Sequence, residues 1–441
     1  MNSYNTEDTI YALATAWGKG AIAVIRVSGK GCIASFEPFF RSRKKLSEYK
    51  SSTAVFGNIK DTDQCVVTLY KDGHGYTGEE AFEISCHGGL ETVKSILELL
   101  GKIGFRQAQR GEFTLRAFLH GKMDLTRAEA VNELINSQGK TGSLMALKRL
   151  NGALFDKIEE IKAEVSDILA TIEVQLDYAE DEIGEDLTFP MAKLDLAIEM
   201  INRVIASYNT GRLYSQGAKV VLAGCTNAGK SSLFNYFLKE ERAIVSATEG
   251  TTRDYIEEKC QIEGIPVKLY DTAGLRNSSD EIELEGMNRS HGLLESADVI
   301  VYLSDSSNPV VDSRIVSDPR CILVASKADI SKGKTDGAIA LSVKTGEGFN
   351  ALCKAIAAKL RKDIVLNDDS SLVIENQRQR EDLSRAAEAL ENARQHVLED
   401  LPLDIVTLDI QDAVQALGEI TGEVTTDDIL NRIFAGFCVG K

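Results

Sequence analysis

The sequence lacks the residue patterns of a metal centre or a disulfide framework. Its eight cysteines, at positions 32, 65, 86, 225, 260, 321, 353 and 438, form no CxxC pair, and its five histidines are scattered. Structural zinc sites need closely spaced ligands, and disulfide scaffolds need paired cysteines in a short chain. The start of the chain also lacks a charged-then-apolar signal segment. We therefore expect no zinc site and predict a cytoplasmic protein with reduced thiols.

Long apolar runs and a surplus of positive charge are missing as well. No apolar run approaches the roughly 20 residues that span a bilayer, so we predict no membrane segment. The 67 acidic residues outnumber the 50 basic ones, and the net charge is −17. Such a chain does not coat nucleic acid through its overall charge, so any RNA contact must be local. One basic stretch is residues 102–127, with six basic and two acidic residues; a solvated surface is the alternative reading.

What the sequence does contain is a phosphate-binding loop. Residues 224–231 read GCTNAGKS and match the pattern GxxxxGK[ST], directly after the apolar run 220–223. The backbone N–H groups of such a loop turn toward the α and β phosphates at a helix N-terminus. Lys230 would reach the β and γ phosphates, and the Ser231 hydroxyl can bind Mg²⁺. The predicted nucleotide contacts of this segment are Asn227, Ala228, Gly229, Lys230, Ser231 and Ser232.

Four further elements, in order along the chain, identify the nucleotide as GTP. Residues 271–274 (DTAG) follow an apolar strand and place a carboxylate near Mg²⁺, and the threonines of 250–254 (GTTRD) can sense the γ-phosphate. In 326–329 (SKAD), Asp329 can accept from the N1–H and the amine of guanine, which adenine cannot match. Residues 342–344 (SVK) complete the base pocket. The predicted contacts are Thr251, Thr252 (also a Mg²⁺ ligand), Asp271, Thr272, Ala273, Gly274, Ser326, Lys327, Asp329, Ser342 and Lys344.

Hydrophobic patterning predicts a multidomain α/β protein, because 441 residues exceed what one core usually serves. Residues 1–118 read as an α+β domain. Apolar residues at steps of three and four from Leu154 to Leu176 predict a long helix. Strand-like runs at 219–223, 265–270, 299–303 and 321–325 alternate with helices, as in a mostly parallel sheet. We predict an α+β domain (1–118), a helical domain in two parts (119–215 and 371–441) and a P-loop GTPase domain inserted between them (216–370).

Together these motifs resemble the tRNA modification GTPase MnmE family, also called TrmE, over essentially the whole chain. The end of the sequence, 437–441 (FCVGK), is similar to the family's terminal FC[IV]GK. Residues 422–423 and 427–430 also resemble family motifs. In the first half, residues 76–80 (YTGEE), 87–89 (HGG), 110–114 (RGEFT) and 122–125 (KMDL) also resemble family motifs. The fold that this resemblance implies has an N-terminal folate-binding-like domain.

The chain departs from the family pattern at two places. Ser326 stands where the family usually has Asn, which is expected to weaken one hydrogen bond to the base and a brace to the P-loop, each worth ~0.5–1.5 kcal/mol. Specificity through Asp329 should survive this change. Residues 17–19 (WGK) stand where members often carry Pro-Gly-Arg, which sets the first loop of this chain apart.

The resemblance also implies how GTP is hydrolysed. Leu275 stands where many small GTPases place a water-orienting glutamine. By resemblance, Glu283 takes this role through a bridging water when the loop from Arg276 to Glu285 orders, and Arg276 is grouped with the catalytic residues. The alternative is that Glu283 is one more carboxylate of an acidic exposed loop.

No arginine finger is evident in the sequence, although phosphoryl transfer needs positive charge between the β and γ phosphates. The resemblance implies that K⁺ supplies this charge, bound by Asn227 with Ser246, Thr248 and Thr251 in a loop that orders when two nucleotide domains dimerise. The alternative for Asn227 is a simple turn residue.

For chemistry on RNA, the resemblance implies a reduced-folate site, for 5,10-methylene- or 5-formyl-tetrahydrofolate, formed by Arg26, Glu83, Lys122 and Lys441. A structural ion pair between Arg26 and Glu83 is the alternative. Near this site, Cys438 is the candidate nucleophile, because a thiolate can add to pyrimidine C6 and activate C5. Cys438 could instead simply pack beside Phe437.

The implied function is that of a homodimeric, K⁺-stimulated GTPase acting with the FAD-carrying flavoprotein MnmG, in a heterotetramer. This pair would add a carboxymethylaminomethyl or aminomethyl group at C5 of the wobble uridine of certain tRNAs. One rival is a regulatory RNA-binding GTPase of the ribosome-assembly type. A second is a folate-dependent aminomethyl-transfer enzyme with a regulatory GTPase insert and a non-RNA substrate.

Overall fold

The computed structural model describes residues 6–71, 73–137, 139–177, 189–240, 256–272, 292–331, 337–362 and 373–441. The chain forms two compact units, each assembled from separate segments. The first unit comprises residues 1–132, 149–189 and 392–441, and the second comprises residues 133–148 and 190–391.

The first unit is built on a seven-stranded sheet of order β3-β4-β5-β6-β2-β1-β7. All neighbouring strands are antiparallel except the parallel pair of β1 and β7. The strands are β1 (Ile10–Leu13), β2 (Ile22–Ser28), β3 (Phe40–Ser42), β4 (Thr53–Ile59), β5 (Asp63–Tyr70), β6 (Ala81–His87) and β7 (Arg106–Gln107).

One face of this sheet forms the core of the α+β part. Alternate residues of β4 and β5 are buried, as the period of two in a half-buried strand requires. They pack with apolar residues of helices α1 (Cys32–Phe36) and α2 (Leu90–Ile103), such as Phe36 and Ile96. The sequence-based prediction of mixed strand and helix in this region is confirmed.

Helices make up the rest of the first unit. They are α3 (Glu112–Leu119), most of α4 (Leu125–Asn136), the end of α5 (Lys140–Leu150), α6 (Ala153–Asp177), α13 (Leu403–Thr421) and α14 (Asp427–Ala435). The predicted long helix is α6, which packs against α13. Its apolar face is buried from Leu154 to Ile172, whereas Leu176, the last residue of the predicted stripe, is 45% exposed.

The second unit is built on a six-stranded sheet of order β13-β12-β11-β8-β10-β9, parallel except for the edge strand β9. The four predicted apolar runs are the strands β8 (Ala218–Gly224), β10 (Ile265–Asp271), β11 (Val299–Asp305) and β12 (Cys321–Ser326). The sheet also contains β9 (Ile256–Ile262) and β13 (Ile339–Ala340), which the sequence reasoning did not predict. The helices are α7 (Met191–Ala206), α8 (Tyr208–Gln216), α9 (Lys230–Glu240), α10 (Ser313–Val316), α11 (Phe349–Lys362) and most of α12 (Gln377–Leu398).

This parallel sheet explains where the sequence motifs meet. Strands β8, β10 and β12 end at Gly224, Asp271 and Ser326. Each of these residues is the first residue of one of the nucleotide-binding motifs. Carboxyl ends of parallel strands lie at one edge of a sheet, which is where open α/β folds bind ligands. Among the helices of the described ranges, none is both long and apolar enough to cross a membrane.

Candidate functional site

The phosphate-binding loop joins the end of β8 to the start of α9. The loop turns through two left-handed residues, Asn227 (φ 62°) and Gly229 (φ 91°). Gly224 has a φ of 131°, and a Cβ on it would lie 2.2 Å from the carbonyl oxygen of Leu303 on the neighbouring strand. The close approach of the two strands therefore requires glycine at the first position of the motif.

Lys230 is held against this loop. Its Nζ donates to the carbonyl oxygens of Gly224 and Cys225, each at 2.8 Å, and the residue is 8% exposed. Ala228, between the two left-handed residues, is buried, whereas Ser232 is exposed on the first turn of the helix. The ammonium group thus lies directly at the loop whose N–H groups are predicted to bind phosphates.

Ser231 and Asp271 bring together the two predicted magnesium-binding groups. The hydroxyl of Ser231 donates to Oδ2 of Asp271 at 2.7 Å. Thr272, the next residue, donates from Oγ1 to the carbonyl oxygen of Leu222 at 2.8 Å, which fixes the end of β10 against β8. A hydroxyl and a carboxylate are the hard oxygen ligands that Mg²⁺ takes beside phosphates and water. The donor set therefore fits this ion.

The base-recognition motif is ordered by side chains behind it. Oδ1 of Asp329 accepts from the hydroxyl of the fully buried Ser342 at 2.7 Å, so the carboxylate has a fixed orientation. Lys327, a left-handed residue with φ 58°, places its Nζ 2.6 Å from Oδ2 of Asp305. Hydrogen bonds from Lys327, the largest cause, and from Ser307 lower the pKa of Asp305 from 3.8 to about 2. Lys344 is exposed on the turn after Ser342.

Ser326 uses its hydroxyl within the sheet. The Oγ of this buried residue donates to the carbonyl oxygen of Ser304 on β11 at 3.2 Å. The hydrogen bond lies between two neighbouring strands and does not join the motif to the phosphate-binding loop. The predicted weakening of the brace to the phosphate-binding loop stays a prediction.

The C-terminal segment docks onto the first unit through main-chain contacts. Arg110 and Val439 form an antiparallel bridge, and the N–H of Gly111 donates to the carbonyl oxygen of Cys438 at 3.4 Å. Phe437 is buried, and Cys438 is exposed. The neighbouring phenylalanine therefore anchors the segment in the core while the thiol side chain stays accessible.

Arg26 links the seven-stranded sheet to this segment. Its Nε lies 2.8 Å from Oε1 of Glu83, the residue opposite it on β6. Its Nη1 donates to the carbonyl oxygen of Gly440 at 3.4 Å, and its guanidinium lies over the rings of Tyr76 and Phe113, at 5.1 and 5.7 Å. Arginine stacks on aromatic faces in this way. The result is one cluster of charged and aromatic groups beside the tail.

The other two predicted folate residues lie at different depths. Lys441 is half-buried at the end of the docked segment. Lys122 is exposed, and its Cε lies 3.2 Å from the place that a Cβ on Gly78 would take. The structure thus groups Arg26 and Glu83 with the C-terminal segment and places Lys122 at a neighbouring turn.

A buried charge cluster was missed by the sequence reasoning. Arg116 is fully buried and hydrogen-bonds to Asp8, Glu79 and Glu112, while Arg106 pairs with Asp8 at 2.6 Å and with Glu112 at 2.5 Å. Residues 102–127 are therefore not a continuous basic surface, because two of their arginines are neutralised by carboxylates. The available signal was the spacing of Glu112 and Arg116, which are four residues apart on α3.

Eight predicted site residues lie outside the described residues, and their roles stay predictions. They are the Mg²⁺, K⁺ and γ-phosphate contacts Ser246, Thr248, Thr251, Thr252, Ala273 and Gly274, and the catalytic residues Arg276 and Glu283.

Comparison with known proteins covers the whole chain. The family model for the GTP-binding protein TrmE N-terminus matches residues 9–122, and the model for the MnmE helical domain matches residues 125–438. A tRNA modification GTPase MnmE of Treponema denticola is 40% identical over 100% of both chains. Proteins of the same name from Borrelia recurrentis and Aquifex aeolicus are each 38% identical, covering 99% and 98% of this chain and 99% and 100% of their own length.

The similarity to these relatives thus includes the phosphate-binding loop, the motifs at the sheet edge and the FCVGK segment. The prediction of a GTPase with an N-terminal TrmE domain and a helical domain is confirmed. This chain belongs to the tRNA modification GTPase MnmE family.

Proposed function

We propose that this GTPase acts with the flavoprotein MnmG to add an aminomethyl or carboxymethylaminomethyl group at C5 of the wobble uridine of certain tRNAs. The observation that carries this proposal is the docking of the C-terminal segment, which presents an exposed thiol at Cys438 beside the Arg26–Glu83 pair. A GTPase that only signalled nucleotide state would need no such arrangement.

The nucleotide site supports GTP binding with Mg²⁺. In this proposal Lys230 neutralises the β and γ phosphates, Ser231 and Asp271 hold the metal directly or through water, and Asp329 reads guanine. Mg²⁺ supplies positive charge at the transferring phosphoryl group. K⁺ bound through Asn227, and water orientation by Glu283 with Arg276 nearby, complete the proposed hydrolytic machinery.

The Arg26 cluster has the chemistry of a site for a reduced folate. A guanidinium and a carboxylate, held 2.8 Å apart beside the ring of Tyr76, offer donors, acceptors and an aromatic surface to a flat, polar heterocycle. A reduced folate supplies a one-carbon unit when bound. Arg26 and Glu83 would bind and orient its ring system, with Lys122 and Lys441 available to its acidic tail.

Cys438 would act on the uridine. A thiolate that adds to C6 turns C5 into a nucleophile, and loss of the C5 proton after substitution releases the thiolate again. Since the side chain is exposed and the main chain from Cys438 to Lys441 is hydrogen-bonded to residues 110–113, the thiol is accessible and its position is defined. Both properties are required of a covalent nucleophile.

The proposed assembly is a homodimer that binds MnmG and its FAD as a heterotetramer in the cytoplasm. The proposed domain boundaries are residues 1–118 for the folate-binding and dimerisation domain, 119–215 and 371–441 for the helical domain, and 216–370 for the GTPase domain. In this arrangement GTP turnover would drive the domain motion that the RNA chemistry needs.

The test is mass spectrometry of tRNA nucleosides from cells that lack this protein. We expect a C5-modified wobble uridine to disappear, to return with the wild-type chain, and to stay absent with Cys438→Ser. Cys321→Ser, at another partly accessible thiol, is the matched control and should restore the nucleoside. An unchanged nucleoside profile in the deletion strain would contradict the proposal and favour a regulatory RNA-binding GTPase.

The folate site has a separate test. Titration of the full chain with 5-formyl-tetrahydrofolate should show binding that Glu83→Gln weakens by about tenfold or more, the equivalent of one charged hydrogen bond. Glu98→Gln, at an exposed carboxylate of α2, should bind as the wild type does. Equal binding by both variants would leave Arg26 and Glu83 as a structural ion pair.

A further inference from the structure

The only tryptophan of this chain stands exposed on a loop. Trp17 is 64% exposed, and every residue from 16 to 22 is exposed. Tryptophan is highly buried on average, because its large apolar ring gains much from leaving water. The exposed indole therefore offers a large aromatic face to a ligand.

The loop that carries Trp17 is fastened at both ends. On one side the N–H of Ala14 donates to the carbonyl oxygen of Val24 at 2.8 Å. On the other, the N–H of Gly20 donates to the carbonyl oxygen of Gly88 at 3.0 Å. The indole thus lies on a short segment between two hydrogen-bonded points. Little conformational entropy is therefore lost when this loop is ordered by a bound ligand.

The loop begins where the C-terminal segment docks. A Cβ on Gly440 would lie 2.7 Å from the carbonyl oxygen of Leu13 and 3.1 Å from the Cα of Ala14. Trp17 follows three residues later, a span of at most roughly 11 Å of extended chain. The exposed indole and the exposed thiol of Cys438 therefore belong to the same end of the sheet.

The charge around Trp17 suits RNA. The segment between Asp8 and Glu37 contains Lys19, Arg26 and Lys30 and no acidic residue, in a chain of net charge −17. Lys19, two residues after the indole, is exposed. Nucleic-acid backbones are bound by lysine and arginine and repelled by carboxylates, so the positive charge of this segment is compatible with an RNA ligand.

We propose that Trp17 is a stacking surface for a nucleobase of the tRNA anticodon loop, next to the uridine that Cys438 engages. The inference rests on the proposed function, since it takes tRNA as the substrate. Proteins bind unpaired bases by stacking them on aromatic side chains, and each stack is worth ~1–3 kcal/mol. Trp17 is then a binding residue that fixes the RNA, with no part in bond making.

The single tryptophan makes the test direct. Anticodon stem-loop RNA is titrated into the full-length chain while the indole is selectively excited, and binding is followed in parallel by anisotropy of a labelled stem-loop. We expect quenching of Trp17 fluorescence that tracks the anisotropy curve. Fluorescence that stays constant while the RNA binds would overturn the proposal.

Variants give the second arm. Trp17→Ala should weaken stem-loop binding roughly 5- to 150-fold, the range that corresponds to one lost stack, while Trp17→Phe keeps a ring and should lose less. Phe56→Ala is the matched control, because Phe56 is an aromatic residue of the same unit with 66% exposure. Equal binding by Trp17→Ala and wild type would overturn the proposal.

Other occupants of this loop give different results. Quenching by 5-formyl-tetrahydrofolate but not by RNA would assign Trp17 to the folate. Emission shielded from acrylamide in the free protein, with dissociation of a dimer in Trp17→Ala, would assign it to a second copy of the chain. If the stem-loop does not bind and the tRNA nucleosides of the deletion strain are unchanged, the proposed function itself fails; if only the Trp17 readouts fail, tRNA modification still stands.

Discussion

The N–H of Phe113 donates to the carbonyl oxygen of Lys441 at 3.2 Å. Together with the contact of Gly111 to Cys438, it makes the turn before α3 the receptor for the end of the chain. The contacts are made by main-chain atoms, and the side chain of Cys438 is exposed.

A substitution in this turn should release the C-terminal segment. Gly111 has a φ of 67°, and a Cβ on it would lie 2.9 Å from the Cβ of Phe434. Gly121 has nearly the same φ, 66°, with nothing within 4 Å. Gly121→Ala should cost only the left-handed strain, about 1–2 kcal/mol, whereas Gly111→Ala should cost about 1–3 kcal/mol more through the clash.

The apparent melting temperature and the alkylation rate of Cys438 measure this difference. We expect faster alkylation in Gly111→Ala and a wild-type rate in Gly121→Ala. Identical melting temperatures and alkylation rates in the two variants would show that the segment does not depend on this turn.

The 2.7 Å contact of Ser231 with Asp271 predicts a metal-dependent defect. Ser231→Ala removes a hydroxyl ligand and should lower the GTPase rate by about 10²-fold, the usual effect of losing one preorganised electrostatic group. Part of this loss should be recovered at higher Mg²⁺ concentration. Ser313→Ala, at an exposed serine of the same unit outside the predicted site, is the control, and an equal loss there would contradict a specific role for Ser231.

Asp329 should determine which base the protein accepts. In the proposed site we expect its carboxylate to accept two hydrogen bonds from guanine, whereas an amide can donate to the additional oxygen of xanthine. Asp329→Asn should therefore lose about 10²-fold or more in GTP affinity, from charged hydrogen bonds of about 1.5–3 kcal/mol each, and should gain affinity for xanthosine triphosphate. Competition binding measures both. Asp312→Asn, at a carboxylate of the same unit that pairs with Arg314 on the surface, should keep the preference for GTP.

The Lys327–Asp305 pair should make the second unit acid-sensitive in a defined window. Hydrogen bonds from Lys327, the largest cause, and from Ser307 lower the folded-state pKa of Asp305 from 3.8 to about 2. A depressed pKa means that the stabilisation is complete above pH 3.8 and is lost as the pH falls toward about 2. Asp305→Asn should abolish this part of the pH dependence.

Acid unfolding followed by circular dichroism tests this expectation. In Asp305→Asn the change of unfolding free energy across that window should be smaller than in the wild type. Glu347→Gln, at an exposed carboxylate of the same unit, is the control. A wild-type acid profile in Asp305→Asn would show that the pair contributes nothing to stability.

Much of the second unit could be predicted from sequence because its signals are local. The GxxxxGK[ST] loop is a contiguous strand, turn and helix, and apolar runs of five or six residues mark the strands around it. In the first unit, the apolar residues from Leu154 to Ile172 likewise predicted the buried face of their helix. At Leu176 the same pattern failed, because burial depends on what lies opposite the helix and not on the residue itself.

The contacts within the first unit were harder to predict from the sequence. The basic residues of 102–127 suggested a positively charged surface. In the structure, Arg116 and Arg106 form ion pairs with Asp8 and Glu112. Asp8 is 98 and 108 residues away from its two partners along the chain. No local pattern reports such a pairing.

The sequence by itself determined the family, the guanine nucleotide and the order of the phosphate, metal and base motifs, because each motif is a short stretch whose backbone conformation its own residues dictate. Only the tertiary structure decided that Arg26 contacts Gly440, 414 residues away, and that the loop of Trp17 begins beside the docked tail. Those contacts are made largely by backbone carbonyl and N–H groups, which nearly every residue carries, so the identity of the side chains does not predict them.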